Sequence, residues 1–169
     1  MYKLLLVFSI FLLVMAFISC DKGIEPVDGI SAFSGKIIFD GAWPQGIKRT
    51  HLVVFREAIK SVNDFSASNL SFVLDTIPYG TKEFNYNSTE MQYSSIFSIK
   101  PGSHKYVVVA QSKTPELTLN RLDWTVVGVY CETGNQAKPK TVIINTGRTT
   151  TGVDIKVDFQ NPPPQPPME

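Results

Sequence analysis

"GVDIKVDF", Gly152–Phe159, alternates with a period of two. Val153, Ile155, Val157 and Phe159 fall on one side, and Asp154, Lys156 and Asp158 on the other. A β-strand turns successive side chains to opposite faces, so this pattern predicts a strand with one buried and one wet face. Two further runs, "HKYVVVAQ" (His104–Gln111) and "WTVVGVY" (Trp124–Tyr130), are apolar at consecutive positions. They are rich in β-branched residues and of strand length, which predicts central strands covered on both faces.

The same signals recur along the chain. "FSGKIIFD" (Phe33–Asp40), "HLVVFR" (His51–Arg56), "YSSIFSI" (Tyr93–Ile99) and "TVIIN" (Thr141–Asn145) are predicted strands, with a bulge expected at Gly35. Between Ser66 and Gln92 one or two irregular strands and a long loop are expected. Only Ala58–Phe65, with Ile59 and Val62 three apart, hints at a helical turn. Lys100-Pro101-Gly102-Ser103 carries the type II turn pattern. Tight hairpins favour the opposite twist, so a wider or offset connection is expected there. No helical crossover of useful length separates the strands, so the sheets should be mostly antiparallel. The fold class is therefore all-β: a single antiparallel β-sandwich of about seven or eight strands over residues 32–160.

The amino end has a different chemistry. Lys3 precedes an apolar run, Leu4–Phe17, broken only by Ser9. That is the length of a signal-peptide core and short of the roughly 20 residues that span a bilayer. The run closes on Phe17-Ile18-Ser19-Cys20, which resembles a bacterial lipobox. The resemblance implies that residues 1–19 are a lipoprotein signal peptide with a helical core, and that Cys20 is the lipidation site and first mature residue. Two or three acyl chains such as palmitate on one cysteine anchor stably, at about 0.8 kcal/mol per buried methylene. Residues 20–31 then read as the lipidated cysteine and a short tether. The expected location is the bacterial cell envelope, on a membrane facing the periplasm or the exterior. Residues 161–169, "NPPPQPPME", lack the N–H groups that a ladder needs and read as an exposed polyproline tail.

Loss of residues 1–19 would remove one of 16 basic side chains and leave them level with the 15 acidic ones. A formally neutral chain without a basic patch argues against a nucleic-acid partner. About 150 residues remain, enough for one domain with a real core. With Cys20 acylated, Cys131 stands alone, and a small buried thiol at a strand end is expected.

"FSGKIIFDGAWPQGIKRTHLVVFRE" (Phe33–Glu57), "YSSIFSIKPGSHKYVVVAQ" (Tyr93–Gln111) and "GVDIKVDF" together look like the carboxypeptidase-regulatory-like or transthyretin-like (prealbumin-like) β-sandwich. Gly35-Lys36-Ile37, Phe97-Ser98-Ile99-Lys100-Pro101-Gly102 and Tyr106 stand at the places that carry the likeness. Such domains are mostly accessory or adhesive, so the resemblance implies a domain without an active site of its own.

Candidate chemistry is sparse. No G-x-S-x-G, H-E-x-x-H, phosphate-binding glycine loop or calcium loop occurs. His51 and His104 each open a predicted strand, outside any metal-ligand spacing, and are expected at the surface or an edge. Asp154 and Asp158 share the wet face of the last strand and read as solvated. No catalytic residue, metal site or cofactor is expected. Trp124 is expected in the core. Trp43, Tyr79, Tyr86 and Tyr93 fall in predicted loops and irregular segments, where exposed rings would suit stacking on a sugar face. The expected function is a non-catalytic interaction or scaffolding domain held at a membrane by its lipid, with an envelope protein as partner. The alternatives are a carbohydrate-binding lipoprotein with a polysaccharide partner and, last, a hydrolase.

Overall fold

Residues 29–74, 77–90 and 99–168 are described by a computed structural model. The expected signal peptide, Cys20, most of the expected tether and all but Ile99 of the predicted strand Tyr93–Ile99 lie outside them. The β-branched runs form strands β1 (Ala32–Asp40), β2 (Arg49–Phe55), β3 (Leu70–Val73), β4 (Glu83–Asn87) and β5 (Gly102–His104). The chain continues through β6 (Tyr106–Ser112), β7 (Trp124–Val129), β8 (Val142–Ile144), β9 (Thr149–Thr150) and β10 (Ile155–Asp158). One sheet has the order β10-β1-β4, with β9 also paired to β1; the second has the order β3-β2-β6-β7; β5 and β8 form a two-stranded ribbon. The protein is an all-β sandwich.

The second sheet is antiparallel throughout. The first is not: β1 runs parallel to both β9 and β10 and antiparallel only to β4. A parallel pair needs a long crossover. Here the connection is most of the fold: the chain leaves β1, builds the second sheet, β4 and the β5–β8 ribbon, and returns its last strands beside its first. Gly35 marks where that return comes closest. A Cβ there would lie 2.2 Å from the Val153 carbonyl oxygen, and the Val153 N–H donates to the Ser34 carbonyl at 3.1 Å. Close backbone approach, not the expected bulge, accounts for this glycine.

The main core lies between the sheets and contains Phe33, Ile37, Leu52, Val107, Val127 and Ile155. Each such buried side chain contributes roughly 1.5–3 kcal/mol. Gly128 of β7 lets the sheets meet: a Cβ there would stand 2.8 and 2.9 Å from methyls of Val157 and Ile155. In β10 and the two residues before it the alternation holds, with Val153, Ile155 and Val157 buried and Asp154 and Lys156 exposed.

A second apolar layer covers the outer face of the second sheet. Phe55, Ile59, Tyr106, Val108, Val126 and Val129 form it. This explains why β6 is buried along its whole length. The helical hint at Ala58–Phe65 becomes a 3-10 turn, Val62–Asp64, within the loop that lies over this face. Asp64 accepts from the Lys60 and Ser61 N–H groups at 2.9 and 2.7 Å and from the Ser61 hydroxyl at 3.0 Å. These bonds, those of the backbone first, hold its carboxyl below the usual range.

The proline tail does not stand free as expected. Pro163 is buried, and the Gln165 side chain pairs with Val126 of the edge strand β7. Its Oε1 accepts from the Val126 N–H at 2.9 Å, and its Nε2 donates to the Val126 carbonyl at 2.8 Å. Gln136 Oε1 accepts from the Val129 N–H at 3.0 Å. Two glutamines thus occupy backbone groups that an edge strand would otherwise offer to another chain.

Candidate functional site

The outer apolar layer is not filled. A cavity of about 130 Å³ lies between the exposed side of β2, β6 and β7 and the segments that cover it. Val108, Ala110 and Val126 form its floor, and Ile59, Leu117 and Pro166 belong to its cover. The register explains the floor. Leu52, Val54, Val107 and Val109 turn into the main core, so Val53, Phe55, Tyr106, Val108 and Ala110 turn outward. For scale, an apolar cavity of roughly 150 Å³ accepts benzene.

Arg121 also lines this cavity. A 3-10 turn, Arg121–Asp123, is capped by Asn120, whose Oδ1 accepts from the Leu122 N–H at 3.2 Å. The turn leaves Leu122 in solvent and buries Arg121, which is only 3% exposed. Arg121 Nη1 donates to the Trp124 carbonyl, and Nη2 donates to the Pro166 carbonyl at 3.0 Å. Arg121 Nε has no hydrogen-bond partner. The ion pairs among the described residues join Lys36 to Glu83, Lys105 to Glu57 and Lys156 to Asp40, and none reaches Arg121. Burial lowers the proton affinity of the guanidinium, and the adjacent Tyr106 raises it. The Tyr106 hydroxyl is pushed up to about 12 by the same burial, partly offset by Arg121. A buried cation with no carboxylate partner among the described residues thus lines a mostly apolar cavity, together with His51, Ser66 and Thr118.

Two histidine expectations are overturned. His51 is fully buried and His104 is 4% exposed. His51 also lines the cavity, with Nδ1 2.8 Å from the Leu74 carbonyl and its ring edge-on to Trp124. His104 is the last residue of β5, paired with Val142 of β8, with Nε2 3.0 Å from the Lys100 carbonyl. In each ring one nitrogen meets a main-chain carbonyl, which offsets part of the cost of covering a strand-end histidine. Trp124 is buried as expected, but on the outer layer, and its Nε1 donates to the Thr118 carbonyl at 3.0 Å.

The predicted aromatic platform divides. Trp43 is half-buried against Phe39 and Phe159, and its Nε1 donates to the Thr81 carbonyl at 3.0 Å. It packs against the main core. Tyr79 is 57% exposed, with its ring centre 5.2 Å from that of Trp43. Tyr86 is a correction. It is 4% exposed, packs on Phe33, and its hydroxyl donates to the Val153 carbonyl at 2.6 Å. On β4 it points inward, so it offers no surface for stacking. Tyr93 and Cys20 lie outside the described residues. Cys131 is half-buried, not fully covered, and burial raises its thiol. Asp158 is engaged by its own turn, accepting from the Gln160 N–H at 2.9 Å and the Asn161 side chain at 3.0 Å.

Sequence reasoning missed the cavity and Arg121. The signal was present in part: β6 and β7 are apolar on both faces, which requires a second covering layer. Nothing local in "LTLNRLDW" (Leu117–Trp124) shows that its arginine turns inward. No family model, curated protein or solved structure matches the chain.

Proposed function

We propose that this is a lipid-anchored envelope protein whose β-sandwich is a non-catalytic binding domain, with the outer-face cavity as its ligand site. Cys20 carries the lipid and residues 20–31 form the tether. The observation that carries the binding role is the cavity itself. A sandwich needs only the core between its sheets, yet in this chain two loops and the proline tail help line a second, partly open apolar space. The full-length chain in phosphatidylcholine nanodiscs, titrated with benzyl alcohol, should show saturable binding and a raised melting temperature. Ala110→Leu, which fills the cavity from its floor, should abolish both. No binding in the parent chain sinks the cavity reading. In cells, Cys20→Ala should move the protein from the membrane fraction to the soluble one, and continued retention would remove the lipid anchor.

A second reading is carbohydrate binding at the Trp43 end. The observation in its favour is the exposed Tyr79 ring set beside Trp43. It requires retention on a polysaccharide that Tyr79→Ala eliminates.

A further inference from the structure

We infer that the outer-face cavity takes a small amphipathic carboxylate, an aromatic or branched aliphatic body with one anionic head, and that Arg121 is its counter-charge. This rests on the reading of the cavity as a ligand site and adds the class of ligand. Three features carry it. The first is size: about 130 Å³ accommodates one ring or a short branched chain, not a sugar chain or a peptide. The second is lining: Val108, Ala110, Val126 and Leu117 offer only apolar contact. The third is Arg121, 3% exposed and unpaired with any carboxylate of the described residues.

An uncompensated buried charge is costly, and proteins pair such groups or bond them fully. Two of the guanidinium nitrogens of Arg121 bond to carbonyls, which accept hydrogen bonds but do not neutralise the charge. Arg121 is among the residues that line the cavity, and its buried Nε–H is left without a partner. A carboxylate would satisfy that donor and the charge together, because bonds between ionised partners are stronger than those between neutral ones. A neutral ligand of the same shape would gain the apolar contacts alone. The site therefore discriminates by charge at one end and by size at the other.

The carbonyl ligands of Arg121 also define how the site is held. Trp124 opens β7, and Pro166 belongs to the tail. The tail is in turn fixed by the Gln165 bonds to Val126. Arg121 is thus clamped between a strand and the tail, so its position is set before a ligand arrives, and little ordering is required on binding.

The test uses benzoate against its near-isostere benzyl alcohol. Each is titrated by calorimetry into the full-length chain in phosphatidylcholine nanodiscs, with empty nanodiscs as blank. Benzoate should bind at least about tenfold more tightly, the scale of one charge-assisted bond. Arg121→Gln should remove that preference by weakening benzoate. Equal affinity of the two probes in the parent chain overturns the inference and leaves the cavity reading standing. Failure of both probes removes the reading as well. A benzoate preference that survives in Arg121→Gln also overturns the inference. Should Arg121→Gln not fold, the parent comparison and the loss of benzoate binding in Ala110→Leu decide.

Discussion

His104 shows how one buried side chain makes the fold sensitive to pH. Burial lowers its pKa below the ordinary 6.5, more than the bond to the Lys100 carbonyl raises it, and the charge of Arg56 lowers it further. As pH falls, the unfolded chain takes up the proton first. The contribution of His104 is therefore complete above about pH 6.5 and is lost as pH falls through that value towards the folded pKa. Asp64 and Asp158 work in a separate window. Both are held low by hydrogen bonds, so their contributions are lost only as pH falls below about 4. The melting temperature should fall between pH 7 and pH 5, and His104→Gln should flatten that slope. An unchanged slope in the variant would show that His104 does not carry it. Trp43 and Tyr86 teach a related lesson. Both were legible as aromatics able to stack, but whether a ring reaches solvent depends on the strand that presents it. Tyr86 is turned inward by the pleat of β4, and Tyr79 keeps an open face.

Among the elements, the edge strand β7 and the tail depend on each other. Gln165 supplies both a donor and an acceptor to Val126, and Pro166 accepts from Arg121. Gln165→Ala would leave the Val126 N–H and carbonyl without partners, at a cost of about 1–2 kcal/mol. Chemical denaturation should show that loss, and it should be absent from Gln165→Glu if one acceptor oxygen is enough to hold the tail. An unchanged midpoint in Gln165→Ala would mean that the prolines alone keep the tail in place. The composition of the tail predicted polyproline structure without a ladder. It did not predict docking, because the contacts are made by one glutamine side chain and by proline carbonyls. Neither leaves a periodic mark in the sequence.

For the molecule as a whole, the spacing of the two sheets is set at Gly128. A side chain there would push into Val157 and Ile155 of the opposite sheet. Gly128→Val should therefore destabilise the fold by about 3 kcal/mol or more, the cost of overpacking a dense core. Its measure is the urea midpoint, and a loss below about 1 kcal/mol would mean that the sheets separate freely. Local pattern was enough for much of this architecture. The alternation in Val153–Phe159 and the apolar runs of β6 and β7 set strand identity and burial, because the period of side chains along a strand is a local property. The all-β class followed from those runs and from the want of helical periodicity. Three features were decided only in the folded molecule: the parallel pairing of β1 with β9 and β10, the burial of both histidines, and the cavity with its unpaired arginine. Each joins residues far apart in the chain, Ile37 with Ile155, His51 with Leu74, and Arg121 with Pro166. Contacts of that kind depend on how layers stack and which loop covers which face, and side-chain period carries no record of either.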